Sequence, residues 1–545
     1  MRHDEPERPG GERALLAALL LLIAVVWLEP ANSFLAEPDE TRYAEIPREM
    51  LAEGDLLVPR LNGLPYLEKP PLLYWANAAS FRVFGETPWA ARLPTRLAGL
   101  ATVLLVILAA RRSGGGSGVA AGVLFLAAPM GFLFSRTNLT DGLLAFFFTA
   151  TLLAGREAVL RREQGRAWMA LSALAGAATA GGFLTKGLVA LVLPGATLLL
   201  WSLATRRLRP MARALLLAPA PLVFLALSAP WFLLVEQRHP GFLHFFFVGE
   251  HLHRFATDTA KRTGPVYYFV PVFLLGFLPN IPFFAAGAGR SGRRDSEGFF
   301  FLMWFAVVFV FFSLSQSKLP PYILPAIPAA AVLAARGLPP DGSRRLWIAH
   351  ALLSTALAAT VFVVPQLRAE AGRLELVGIV TPLLAFLVLA SWSAVLFAGR
   401  STALALAAAG AGWAAFFAAV AFAWPQTPQA RLTVELAAVA REAAAPRRAT
   451  IVGYRNYLSG VSWQLKTPIV AGHHLGELEP EFENRPEVLE AFFWKPEKFW
   501  PIWERGDPLV VIVRMIDLVD MMKANPPARV IRWYGKYAVV ANFPD

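Results

Sequence analysis

ALLAALLLLIAVVWL (14–28) carries no charge, yet within ten residues the chain reads EPDETRYAEIPREM (37–50). The first stretch approaches the ~20 apolar residues that cross ~30 Å of hydrocarbon. The second opens a strip of charges that continues to Lys69 through LNGLPYLEKPPLLYW (61–75). Carboxylates and cations this dense beside a bilayer are costly unless they face water or a polar ligand. The strip therefore reads as the edge of a site for a lipid-linked, phosphate-bearing substrate. The leader before it, MRHDEPERPGGER (1–13), is basic and lacks a small-residue cleavage site, so the first apolar stretch reads as a retained anchor and not a signal peptide.

Composition extends that reading to most of the chain. With 545 residues, 56% of them hydrophobic, and a mean hydropathy of +0.49, the class is a polytopic membrane protein. The absence of cysteine excludes disulfides, thiolate metal sites and thiol catalysis together. A net charge of +12 records membrane orientation here and carries no nucleic-acid inference.

Hydropathy predicts thirteen spans, at 14–28, 95–111, 117–134, 140–158, 167–185, 187–204, 212–235, 265–286, 299–315, 320–336, 345–364, 374–397 and 403–424. If they alternate, the arginine clusters at 111/112, 156–166, 206–213, 290–294, 336–345 and 400 fall with the N-terminus on one side. Arg368 and Arg373 are mild exceptions. That pattern expects a cytoplasmic N-terminus and a C-terminal region outside. The spans define a membrane domain over 1–424. Beyond Pro425, a helical stretch (432–445) and strand-like ATIVGY (449–454), PIVAG (468–472), LVVIVR (509–514), RVIRWY (529–534) and YAVVANF (537–543) predict a small α/β domain over 425–545. It shows no nucleotide-binding glycine fingerprint and reads as a lid or scaffold.

Five segments on the expected outer face carry the candidate chemistry. Asp39 and Glu40 form a carboxylate pair suited to base catalysis, to cation binding, or to nothing beyond a solvated acidic loop. Arg42, Glu45, Arg48 and Glu49 lie at helical spacing opposite Tyr43, Ile46 and Met50, which predicts an amphipathic helix in the interface. In 61–75, Gly63 and Pro65 predict a turn, and Tyr66, Glu68 and Lys69 supply polar groups. Lys69 suits a phosphate, or simple snorkelling. In SRTNLTDGLLAFFF (135–148), Thr140 or Asp141 reads as an N-cap, or Asp141 as a carboxylate turned into a cavity. GEHLHRFATDTAKRTGP (249–265) offers Arg254, Lys261 and Arg262 to a phosphate. Its His251 and His253, with Glu68, are a possible divalent-ion set, although loop histidines are more often not ligands. SQSKLPPYILP (315–325) places Lys318 and Tyr322 at the mouth of the tenth span.

In this order, EPDETRYAEIPREM, LNGLPYLEKPPLLYW, TNLTDGLLAFF (137–147) and SKLPPYILP (317–325) resemble the bacterial lipid A aminoarabinose transferases. Those enzymes stand with the protein O-mannosyltransferases among the GT-C glycosyltransferases. The likeness spans the membrane portion and reaches the C-terminal domain by position and size more than by motif. It implies a polytopic GT-C fold with a C-terminal periplasmic α/β domain in the bacterial inner membrane. It also implies an undecaprenyl-phosphate-linked aminosugar as donor and lipid A as acceptor. By the resemblance Asp39 would be catalytic, and the residue reading adds Glu40 and Asp141 beside it. By the resemblance Lys69, Arg254 and Tyr322 would hold the carrier phosphate, with Tyr66 and Glu68 in the matched run; from their own positions Lys318 would join the phosphate site and Arg42 and Tyr43 would contact substrate. No cofactor is required, with a divalent ion left open. The alternatives are another polyprenyl-phosphate-sugar transferase, acting for example on a protein hydroxyl, and, from a different class, a lipid transporter. Ionisable groups gathered at one face, with no visible repeat, favour interfacial chemistry over transport.

Overall fold

The computed structural model of the protein describes residues 9–31, 33–113, 118–217, 219–253, 263–293, 297–339, 343–363, 374–473 and 486–544. It divides into two compact units, Met1–Glu29 with Arg92–Leu234 and Leu243–Ala423, and Pro30–Ala91 with Val235–Phe242 and Trp424–Asp545.

The first unit is a polytopic bundle of apolar helices. Helix occupies some part of every predicted span. Among the described residues, however, seven helices are individually long and apolar enough to cross a bilayer, or eight if one bent pair counts as a single span. Prolines account for much of the difference. The predicted 117–134 span breaks into Gly118–Ala127 and Pro129–Phe134. The 265–286 span bends by 113° between Val266–Phe277 and Ile281–Arg290, around Pro279 and Pro282. The 320–336 span begins as a tight turn over Pro320–Ala326 before the helix Ile327–Gly337. Where a break frees a carbonyl, a buried side chain takes it: Asn280 Nδ2 donates to Leu124 O (2.9 Å) and Trp304 Nε1 to Pro325 O (2.8 Å). Leu199, Leu222, Leu225 and Leu396 are exposed, as expected of a surface that meets lipid.

The second unit is built on a six-stranded sheet. A short hairpin, β1 (Arg60–Leu61) and β2 (Leu64–Pro65), stands apart from it. The sheet comprises β3 (Thr450–Tyr454), β4 (Val470–Gly472), β5 (Phe493–Trp494), β6 (Leu509–Arg514), β7 (Arg529–Tyr534) and β8 (Tyr537–Ala541), in the order β5-β4-β3-β6-β8-β7. β5, β4, β3 and β6 run parallel; β8 is antiparallel to β6 and to β7. β6 is apolar at every position but its last because both faces are covered. Val510 and Ile512 pack with Leu436, Ala437 and Ala440 of helix Pro428–Ala444, while Leu509, Val511 and Val513 pack with Phe499 and Trp503. The sequence reading located every strand of this sheet except the two-residue β5.

Helix Asp39–Glu53 belongs to the same unit and departs from its amphipathic expectation. Glu45 is fully buried, and Arg48 and Glu49 are as buried as Tyr43 and Met50. The polar face is covered because it has partners of its own. Arg48 forks onto Glu45 (2.6 and 2.7 Å) and donates to Lys466 O (3.3 Å). Glu49 accepts the backbone N–H groups of Asn62 (2.7 Å) and Gly63 (2.8 Å). Pro47 sits inside this helix and cannot donate to Tyr43 O, one turn back. Asn77 Nδ2 fills that vacancy at 2.9 Å, which joins the helix to Leu72–Phe84.

Candidate active site

The turn ahead of Tyr66, Glu68 and Lys69 is Asn62–Gly63, not Gly63 with Pro65. Both residues have positive φ (54° and 79°), the two-residue hairpin geometry that Asn-Gly favours. Glu49 holds the two N–H groups of that turn. Asn62 also pairs with the backbone at Ile469, donating to its carbonyl (2.9 Å) and accepting from its N–H (3.1 Å). The loop that carries the candidate phosphate ligand is therefore pinned at its start.

Burial, and next the charge of Glu45, push the Glu49 carboxyl from its ordinary 4.5 up to about 8, while the Gly63 and Asn62 N–H groups pull the other way. A folded pKa above the unfolded one means that the folded chain keeps a proton the unfolded chain releases. The stability this contributes is complete below the unfolded value and is lost as pH rises through the folded one. Glu49→Gln is expected to flatten the fall in melting temperature of the purified protein between about pH 5 and about pH 8. Parallel curves for wild type and variant would contradict this assignment.

The Asp39–Glu40 pair does not act as a unit. Asp39, at the first helical position, is 56% exposed along its side chain. Glu40 is buried and accepts the N–H of Ala36 (3.0 Å), so it shapes the loop. Arg42 Nη1 lies 3.4 Å from Asp39 Oδ1 and 3.5 Å from the Tyr66 hydroxyl. Contacts this long leave the Asp39 carboxylate open to a ligand. Tyr66 is buried, and burial, then Glu68, hold its phenol well above the ordinary range, so it remains a protonated donor. Tyr43 packs on Tyr74 (centroids 6.0 Å apart) and belongs to the wall. Lys69 Nζ lies 3.7 Å from Glu68 Oε2 and 3.2 Å from the Glu68 carbonyl, with both side chains about one-fifth exposed. The unit thus presents a carboxylate at Asp39 and an ammonium–carboxylate pair at Lys69 and Glu68.

The membrane unit carries its own polar group. Asp141 is not an N-cap, nor is Thr140; Leu139 holds that position without a side-chain bond. Asp141 instead pairs with Lys186, whose Nζ also lies 5.2 Å over the Tyr322 ring. Lys186 falls in the one-residue gap between the expected spans 167–185 and 187–204, where the sequence gives it no role. A lysine ending an apolar helix just before a glycine was the signal available. Lys318 differs from its expected role. Its ammonium donates to the carbonyls of Phe312 (3.3 Å), Ser313 (2.9 Å) and Ser315 (2.7 Å), capping helix Glu297–Leu314. With those three bonds made, its donors are committed to the backbone. Arg254 and the side chains of His251 and His253 lie outside the described residues, as do Lys261 and Arg262. Among the described residues, no group of three His, Cys, Asp or Glu is placed to hold a metal ion.

Over residues 14–246 the chain matches the family described as dolichyl-phosphate-mannose-protein mannosyltransferase. It is 35% identical over 328 residues to an undecaprenyl phosphate-alpha-4-amino-4-deoxy-L-arabinose arabinosyl transferase of Proteus mirabilis, covering 58% of each chain. A Pectobacterium carotovorum protein of the same description is 36% identical over 361 residues, 63% of each chain. These matches span less than two thirds of the relatives' own length. The solved structure of ArnT from Cupriavidus metallidurans bound to undecaprenyl phosphate superposes along almost all of both chains, with 98% of each covered, a TM-score of 0.81 and 28% identity. Its apo form gives 0.82 and 29%.

Proposed function

We propose that the chain is one of the GT-C glycosyltransferases that include ArnT and the protein mannosyltransferases, and that it is an aminoarabinosyl transferase. It moves 4-amino-4-deoxy-L-arabinose from undecaprenyl phosphate to a phosphate of lipid A. The reaction runs at the periplasmic face of the bacterial inner membrane, with the N-terminus cytoplasmic and the sheet-bearing region periplasmic. The observation that carries this reading is the open Asp39 carboxylate, held in the same compact unit as the Lys69–Glu68 pair and in the motif order of these enzymes.

Transfer breaks the bond between the sugar's anomeric carbon and the carrier phosphate oxygen, and forms one from that carbon to an acceptor phosphate oxygen. Charge develops on the departing carrier phosphate, now a monoester, and the Lys69 ammonium meets it. The acceptor needs little activation. A phosphate monoester has a second pKa of about 6 and is already largely ionised at neutral pH. Asp39 therefore orients the acceptor or balances positive charge on the sugar, and does not serve as a base. Glu68 suits the protonated 4-amino group. Tyr66 donates from a buried position, and Arg42 steers the Asp39 carboxylate. Modifying the phosphate lowers the negative charge of lipid A, so resistance to cationic antimicrobial peptides follows.

The test is the mass spectrum of lipid A from a polymyxin-sensitive strain that makes the donor, with and without this chain. Gain of one aminoarabinose is expected. Unchanged lipid A, with the protein and donor both present, would overturn the reading.

A further inference from the structure

We propose that the C-terminal α/β region positions the catalytic strip, with Glu37 as the positioning residue that fixes Asp39; this rests on the function proposed above. The sequence offered no role for this region beyond lid or scaffold. The contacts give it one. Glu37 Oε2 accepts from the Thr41 hydroxyl (2.7 Å) and from the backbone N–H of Gly460 (2.9 Å). Its other oxygen accepts from Ser459 Oγ (3.3 Å). The Thr41 and Ser459 hydroxyls are themselves 2.8 Å apart and buried. Two residues before Asp39, then, one carboxylate ties the loop to the segment 459–460. Two residues after Asp39, Thr41 joins the same cluster.

Nothing in this cluster reaches Asp39 itself. Its effect is to hold the backbone on both sides while the Asp39 side chain stays outside the cluster, with only the long contact to Arg42. Glu40 adds to it by turning inward onto Ala36 N–H. A parallel arrangement holds the second loop, where Asn62 pairs with Ile469 immediately before β4. Both loops of the strip are thus referenced to the α/β region, the first beside helix Ser459–Leu465 and the second beside β4. A carboxylate displaced by about 1 Å can lose ~10²-fold in rate without loss of fold, which is the scale at which such anchoring acts.

The test compares the full-length purified chain as wild type, Glu37→Gln, Asp39→Asn and the double variant, measuring transfer to lipid A, KM for the donor and melting temperature. Glu37→Gln keeps shape but loses the carboxylate that serves three donors. It is expected to lower kcat by ~10²-fold with little change in donor KM. In the Asp39→Asn background it should lower the residual rate no further, because its effect passes through Asp39. Wild-type kcat in Glu37→Gln, or an equal further loss in the Asp39→Asn background, would overturn the proposal. If Glu37→Gln does not fold, Ser459→Ala removes one hydroxyl and should lower kcat in the same direction; an unchanged kcat there overturns the proposal too. Absence of transfer by wild type would overturn the parent reading, an outcome distinct from failure of the anchor.

Discussion

Asp39→Asn is expected to lower transfer by about 10²- to 10³-fold while leaving the protein folded and donor binding nearly intact. The substitution costs the fold little because the side chain is more than half exposed and its one ionic contact, to Arg42, is long. Its catalytic cost is large because an amide carries no charge to set against an oxocarbenium-like sugar or to organise the acceptor. The pH profile separates the two roles open to a carboxylate here. If Asp39 acts by charge and orientation on an ionised phosphate acceptor, wild type and variant share the acid limb, set by the acceptor's own titration near pH ~6. If Asp39 were a base for a hydroxyl acceptor, as in protein O-mannosylation, the variant would lose that limb. Steady-state rates from about pH 5 to pH 8 would decide it.

Lys69→Ala is the second large effect, a loss of about 10²- to 10³-fold in kcat, the range seen when one donor to a developing oxyanion is removed. The side chain is mostly buried beside Glu68, so its charge acts in a partly dehydrated setting. Its removal also leaves Glu68 without its neighbouring ammonium, which should raise KM for the amino-sugar donor less than it lowers kcat. Lys69→Arg is expected to restore only part of the rate, since a planar fork does not reproduce a compact ammonium in a fitted site. Rates in Lys69→Ala within a few-fold of wild type would place the phosphate elsewhere.

Much of this is legible in the sequence. The strand LVVIVR is apolar at five consecutive positions, and such a run in a short segment is what a strand covered on both faces requires. The bundle was legible because apolar helices crossing lipid leave no other reading for such stretches, although prolines 129, 279 and 320 broke or shortened spans that hydropathy alone joined. The hairpin turn is legible too, since Asn-Gly at 62–63 is a stronger short-range signal than Gly63 with Pro65. What the sequence could not carry was the burial of Glu45, Arg48 and Glu49. Charges at helical spacing read as a wet face unless their partners are known, and Lys466 O lies 418 positions further on. The Asp141–Lys186 pair was hidden for a similar reason, as its two residues sit on separate helices.

The distance from Arg48 to Lys466 and from Thr41 to Ser459, 418 residues in each case, also sets a clock. At ~5–20 residues per second, the ribosome finishes the strip roughly 20 to 80 seconds before it delivers the segment that covers it. Through that interval helix 39–53 lacks its contacts with 459–466, while the local partners of Glu45 and Glu49 are already made. Insertion of the first spans and competence of the site are thereby separated in time. A partly translated chain carries Asp39 and Lys69 but lacks the contacts at 459–460 and 469 that hold their loops, so those loops take their final form only once the C-terminal segments are made.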